Sequence, residues 1–105
     1  MRLETSDAII LGAGQAGPAI AARCSADGLR TAVIERHHFS GTCVNVGCVP
    51  TKTLVASARA IRQAQRGAEF GFDIDRLSVD MARVKARKNG IVLHSRQAVE
   101  ARCAV

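Results

Sequence analysis

Three observations along the first half of the chain predict an α/β fold. A short apolar run ends in a glycine-rich turn, an alanine-rich segment of helical character follows, and a second apolar run closes on an acidic residue. Strand, helix and strand in that order make a parallel β-α-β unit. A cysteine-bearing helix and a second long helix complete the 105 residues.

Asp7-Ala8-Ile9-Ile10-Leu11 stops at Gly12, the pattern of a strand buried on both faces of a parallel sheet. Gly12-Ala13-Gly14-Gln15-Ala16-Gly17 then matches G-x-G-x-x-G. Alone the match is weak. Its context strengthens it: a strand before it, a helix from Ala16 to about Ala26 after it, Gly28 as the helix C-cap, and Thr31-Ala32-Val33-Ile34-Glu35 as a second strand. Pro18 fits because it falls in the first turn, where its missing N–H leaves no bond unmade.

The physics of such a unit is anion binding. Gly12 permits the tight turn, Gly14 lets the backbone approach a pyrophosphate, and Gly17 lets helix and strand pack closely. The N–H groups of Gln15 and Ala16 point at the phosphates. Glu35 is placed to accept hydrogen bonds from a ribose hydroxyl, and its carboxylate repels a 2′-phosphate, so a nucleotide with free ribose hydroxyls is expected. The alternative is a plain strand-to-helix turn with Glu35 as a solvated strand end.

Composition narrows the function classes. The length suits one small domain with a modest core. Fifteen basic against nine acidic residues give +6, with 48% hydrophobic residues, a globular composition. Phe39, Phe70 and Phe72 are the only aromatic residues, which argues against a base-stacking nucleic-acid surface. No stretch approaches the roughly 20 apolar residues of a membrane span. The start, Met1-Arg2 with acidic Glu4 and Asp7, is unlike a signal peptide. A cytoplasmic location is expected, where a cysteine pair is more often catalytic or metal-binding than structural.

Arg36-His37-His38-Phe39-Ser40 leads into Gly41-Thr42-Cys43-Val44-Asn45-Val46-Gly47-Cys48-Val49-Pro50-Thr51-Lys52. Neither a straight helix nor a straight strand brings Cys43 and Cys48 within the roughly 4.4–6.8 Å between Cα atoms that a disulfide needs. A distorted turn at Gly47 does. The N–H groups of the following helix would then face the sulfurs and lower a cysteine pKa, as in a redox pair. Two histidines beside two cysteines invite a zinc reading, but C-x4-C with no second ligand pair is poor zinc spacing, and no metal is expected. His37 and His38 read as solvent-facing loop residues.

A helix is expected from Thr51 to about Arg66, with Leu54, Ala58, Ile61 and Gln65 on one stripe and Gly67 as its stop. Gly67 to Asp75 reads as a loop with Phe70 and Phe72 tucked beneath it. Ser78 reads as the N-cap of a second long helix, with Val84, Ile91 and Ala98 a heptad apart and Val92 and Val99 alongside. Arg83, Lys85, Arg87, Lys88, Arg96 and Arg102 then form a solvated surface, the alternative being a phosphate or partner contact. Asn89-Gly90 conflicts with a continuous helix. Cys24 reads as a small core residue and Cys103 as a frayed terminal thiol.

Together, the strand–G-x-G-x-x-G–helix–strand–Glu unit and Gly-Thr-Cys-Val-Asn-Val-Gly-Cys-Val-Pro-Thr-Lys resemble the N-terminus of the FAD-dependent pyridine nucleotide-disulfide oxidoreductases, over essentially the whole chain. That family includes dihydrolipoamide dehydrogenase, glutathione reductase and mercuric reductase. The runs Gly12 to Pro18 and Val-Pro-Thr-Lys-Thr-Leu-Val-Ala-Ser-Ala look most like the mercuric reductase branch. The resemblance implies an incomplete Rossmann-like FAD-binding domain over residues 1–105, with the redox-active segment at 41–52. It implies that Glu35, with Arg36 beside it, meets the adenosine ribose, and that Gly41 and Thr42 line the pyrophosphate and ribityl path. Cys48 becomes the thiol against the flavin, forming the charge-transfer thiolate. Cys43 becomes the interchange thiol that attacks substrate, and Lys52 steadies charge on the reduced ring. In the family, electrons pass from NAD(P)H through FAD to the disulfide, then to a substrate disulfide or metal ion, in a homodimer.

Two departures stand out. Ser40-Gly41 replaces the two glycines the family often has before Thr-Cys. The chain also lacks a second G-x-G-x-x-G for the nicotinamide cofactor and the His-Glu acid-base motif, so the N-terminal part of a longer enzyme is expected, inactive alone. A small nucleotide-binding redox module and an inert remnant are the alternatives.

Overall fold

The computed structural model describes residues 4–104, so Met1-Arg2 lies outside it. Strand β1 (Ala8–Leu11) is followed by helix α1 (Gly17–Ala26), strand β2 (Thr31–Ile34), a short helix α2 (Gly41–Asn45), helix α3 (Cys48–Gln65), a 3₁₀ turn at Gly67–Phe70 and helix α4 (Met81–Cys103). β1 and β2 pair in parallel with Ala8 opposite Thr31 and Leu11 opposite Ile34. The pairing is pinned at its start by Arg30. Its Nε and Nη2 donate to the two oxygens of Asp7 at 3.1 Å each, while the Asp7 N–H donates to the Arg30 carbonyl at 2.8 Å. A two-pronged guanidinium fixes orientation as well as distance, so it sets the register at which the unit begins.

The expected order of elements holds. The expectation of a strand buried on both faces does not. Ala8 and Ile10 are half-buried, with Ile10 beside Gly17 of α1, whereas Ile9 and Leu11 are 61% and 80% exposed, because no described element packs on that face. Among the described residues the buried apolar side chains are Ala13, Val44, Pro50 and Val92. The radius of gyration is 20.4 Å, against about 13 Å for a compact domain of this length.

α3 and α4 account for the extension, running antiparallel so that Arg87 meets Thr53 and Ser57 while Arg96 reaches Asn45. α3 begins at Cys48, three residues before the expected start, since Pro50 lies in its first turn where no N–H is required. Its inward stripe is Pro50, Thr53, Ser57, Ile61 and Ala64, one residue round from the expected one, and Leu54 faces out. The reason is polar: the Thr53 hydroxyl donates to the Val49 carbonyl at 2.8 Å, so it enters the contact with its hydrogen bond already made.

On α4 the inward series is Val84, Lys88, Val92, Arg96, Val99 and Cys103, while Ile91 and Ala98 are exposed. Cys103 therefore lies half-buried in the last turn, facing α1 across a groove, and is not a frayed end. The cap is Asp80, not Ser78: its carboxylate accepts from the N–H groups of Ala82 and Arg83 at 2.9 and 3.1 Å. Asp80→Ala is expected to cost about 1 kcal/mol of stability, measurable as a lower urea midpoint, whereas Ser78→Ala should change nothing. Asn89-Gly90 does not interrupt the helix. Phe70 and Phe72 are 63% and 48% exposed and not tucked away; Phe72 folds back over Gly67, and the Arg66 guanidinium lies 6.0 Å from the Phe70 ring.

Candidate functional site

The carboxyl end of β1 turns at Gly12, which has φ +98° and whose N–H still donates to the Ile34 carbonyl at 2.8 Å, so the sheet continues into the turn. Gly17 then comes so close that an added Cβ would sit 2.1 Å from the Gly12 carbonyl oxygen. Gly14 is the opposite case, since a Cβ there meets nothing within 4 Å. The bare face of Gly14 opens outward, and the N-terminus of α1 beside it has no side-chain cap. Among the described residues the N–H groups of Gln15 and Ala16 have no acceptor.

Glu35, just beyond β2, joins this turn. Its Oε2 accepts from the Ala13 N–H and its Oε1 from the His37 N–H, both at 2.9 Å. These donors, Ala13 first, hold the carboxyl below its ordinary pKa, with the Arg36 N–H adding a smaller push in the same direction. Each oxygen keeps a lone pair for a further donor such as a ribose hydroxyl. The Arg36 side chain is exposed, as are His37 and His38.

The cysteine segment is docked onto the glycine turn. Ser40 donates its N–H to the Ala13 carbonyl at 2.7 Å, and Gln15 Nε2 donates to the Ser40 carbonyl at 3.2 Å. Gly41 lies so close to Gly14 that a Cβ on it would be 2.9 Å from the Gly14 Cα. Ser40 and Gly41 both have positive φ, +79° and +61°. That conformation explains why glycine suits position 40 and what serine costs there, of order 1–2 kcal/mol. Ser40 is also 1% exposed, and its hydroxyl has no hydrogen-bond partner. A buried hydroxyl left unpaired is unfavourable unless a ligand or water completes it. From the sequence Ser40 stands out only as a departure from the family's two glycines and not as a site residue, although its place in a glycine position was the visible signal.

α2 carries Cys43 and Thr42, and α3 carries Cys48 at its first position and Lys52 in its second turn. Cys43 is half-buried, Cys48 and Lys52 are exposed, and both cysteines are free thiols. Gly47 makes the reversal between them: a Cβ there would lie 3.1 Å from the Thr42 carbonyl oxygen and 3.4 Å from the Cys43 Cα. The Cys48 N–H and the Lys52 charge do favour the Cys43 thiolate, as the helix-terminus argument requires. They are outweighed. Interaction with the Cys48 side chain, then burial, then the charge of Cys48 raise the Cys43 pKa above its ordinary value, so the lowering expected for a cysteine of the pair does not fall on Cys43. Removing the neighbouring sulfur in Cys48→Ala is therefore expected to enlarge the Cys43 thiolate fraction and speed its alkylation at pH 8 severalfold. An unchanged or slower rate would overturn this account of the raised pKa.

Among the described residues no helix is long and apolar enough to cross a membrane. The glycine turn, Glu35 and the cysteine segment are in contact with one another at the carboxyl end of the two strands.

The chain is 36% identical over 94 residues to a dihydrolipoyl dehydrogenase of Chlamydia pneumoniae, covering 90% of this chain and 20% of that protein. It is 38% identical over 86 residues to a dihydrolipoyl dehydrogenase of Bacillus subtilis, covering 82% of this chain and 18% of that protein. A third, from Rhizobium etli, is 43% identical over 72 residues, covering 69% of this chain and 15% of that protein. The chain spans about a fifth of the length of these relatives. A family model described as pyridine nucleotide-disulphide oxidoreductase matches residues 6–103, nearly the whole chain, and the chain belongs to that family.

Proposed function

We propose that this chain forms the FAD-gripping and thiol-bearing part of an oxidoreductase in which electrons from NAD(P)H reach the Cys43–Cys48 pair and leave to a disulfide or metal-ion substrate. The observation that carries this reading is the contact of Gly41 with Gly14, which joins the nucleotide turn and the cysteine segment into one site. The residues present fit the dinucleotide. Gly14 offers a bare backbone face, the α1 N-terminus lacks a cap, the Ser40 hydroxyl lacks a partner, and Glu35 keeps lone pairs free. When bound, FAD supplies the hydride-accepting and two-electron chemistry that thiols lack.

The chain's own residues do the rest. Gly12 to Gly17 hold the diphosphate, Glu35 and Arg36 orient the ribose, and Gly41 and Thr42 continue the path toward the cysteines. Cys43, as thiolate, attacks a substrate disulfide; the Cys48 thiolate then displaces the substrate sulfur from Cys43. Two electrons pass to the substrate and the pair closes as a disulfide. Lys52, on the same side of α3, balances negative charge near the pair. The relatives' names favour a dithiol or disulfide as the exchanging substrate. The glycine run and the Val-Pro-Thr-Lys run, with their likeness to the mercuric reductase branch, support a metal ion as the second choice. The same reading gives the chain a small-molecule or disulfide substrate, not nucleic acid or a membrane, within a homodimeric enzyme.

A second reading, an inert remnant, draws on the small core and the exposed apolar face of β1. Titration of the purified chain with FAD separates the two. Saturable binding at micromolar FAD, with a long-wavelength absorbance band after two-electron reduction, is the expected result. Absence of binding at that concentration favours the remnant.

A further inference from the structure

The five-residue helix α2 positions Cys43, yet a helix that short has no stability of its own. Apart from burial of Val44, a side-chain network centred on Asn45 holds it. Asn45 Nδ2 donates to the carbonyls of Phe39 and Gly41 at 2.9 and 2.8 Å, closing the turn from which Cys43 projects. Asn45 Oδ1 in turn accepts from Arg96 Nε at 2.8 Å, across 51 residues of sequence. Both side chains are half-buried, so neither partner is readily replaced by water. With its two amide hydrogens and its oxygen engaged, Asn45 has a single orientation, and Arg96 is what locks it.

We propose that Asn45 and Arg96 are positioning residues for the redox pair: by clamping the segment between the cysteines to α4, they keep Cys43 poised against Cys48 and so set how easily the disulfide closes. Neither residue touches a reacting atom. Their effect is on the effective concentration of one thiol at the other, a quantity that geometry controls. The proposal rests on the reading of Cys43 and Cys48 as the redox pair.

The test is equilibration of the chain with glutathione buffers. Glutathione disulfide takes two electrons and two protons from Cys43 and Cys48, giving the intramolecular disulfide and two molecules of glutathione. After quenching and alkylation, the tryptic peptide His37–Lys52 holds these two cysteines and neither Cys24 nor Cys103, so its mass reports the pair alone. Arg96→Ala and Asn45→Ala are each expected to shift the midpoint about tenfold toward the dithiol, equivalent to about 30 mV. The double variant should shift no further than Asn45→Ala, because both changes break one network. Arg87→Ala is the comparison: it removes another α4 contact, to the Thr53 carbonyl and Ser57, without touching Asn45, and should leave the midpoint within twofold of wild type. If Arg96→Ala does not fold, Arg96→Lys, which keeps the charge and stem but loses the Nε donor, is read in the same way with at least a threefold shift expected. A smaller shift in whichever Arg96 variant is read, or an equal shift in Arg87→Ala, overturns the proposal. Failure of the wild-type chain to form the disulfide at all would instead overturn the redox-pair reading.

Discussion

Gly17→Ala is expected to abolish cooperative unfolding, while Gly14→Ala three residues earlier should unfold like wild type and lose FAD. At Gly17 an ideal Cβ lies 2.1 Å from the Gly12 carbonyl oxygen and 3.1 Å from its carbon. Both are backbone atoms at the end of β1, so no rotamer change relieves the clash and helix and strand must separate. Overpacking of this kind costs about 1–3 kcal/mol, and more where the obstacle is rigid. With Ala13, Val44, Pro50 and Val92 as the buried apolar residues described, little stability is available to absorb it. At Gly14 the added methyl meets nothing within 4 Å in the free chain, but it occupies the face assigned to the diphosphate. FAD affinity should fall at least ~30-fold, about 2 kcal/mol. Circular dichroism in urea and FAD titration of both variants provide the check. Equal stabilities would sink the close-packing role of Gly17, and unchanged FAD affinity in Gly14→Ala would sink the diphosphate assignment.

Glu35→Gln should weaken FAD binding at least ~10-fold and flatten the acid dependence of stability. The carboxylate accepts from two backbone N–H groups, one on each oxygen. A carboxamide offers one acceptor oxygen and turns an NH₂ toward the other N–H, so one bond becomes a donor–donor conflict. The hinge between β2 and the glycine turn loosens, and a ribose acceptor disappears with it. The pH signature follows from the direction of the shift. Because the native pKa is lowered from its ordinary 4.5, the stabilisation is fully present above that value and is lost as pH falls through the lower native pKa. The gap in urea midpoint between wild type and Glu35→Gln should therefore be widest above pH 4.5 and shrink steadily as the pH is lowered below it. Asp7, held below its ordinary pKa by Arg30, is present in both proteins and cancels in the comparison. A gap that stays the same size as the pH is lowered would show that the Glu35 charge contributes nothing.

The parts of the site that were legible in the sequence are those written in short-range chemistry. G-x-G-x-x-G between two apolar runs, an acidic residue closing the second, and two cysteines around a glycine each constrain the backbone within a few residues, so spacing alone locates them. The misread parts are those where neighbours distant in sequence compete. Ser78 and Asp80 are both good N-caps, and the choice depended on where the chain entered α4. Leu54 and Thr53 are adjacent on α3, and an internally satisfied hydroxyl allowed the smaller residue to take the contact. Arg87 and Arg96, read as part of a solvated basic surface, turn out to anchor α4 to α3 and α2. Nothing within ten residues of either marks it as different from Arg83 or Lys85.

By itself the sequence determined the β-α-β unit, the glycine turn and the pairing of a nucleotide motif with a thiol motif, because turns and helix starts are governed by local sterics and by the hydrogen bonds a few consecutive residues can make. The tertiary structure alone decided that Gly41 rests on Gly14, that Ser40 is buried with its hydroxyl free, that a second thiol raises the Cys43 pKa, and that Arg96 grips Asn45. Each of these is a contact between side chains or turns brought together by folding, and its energy depends on distance and burial, which no spacing along the chain encodes.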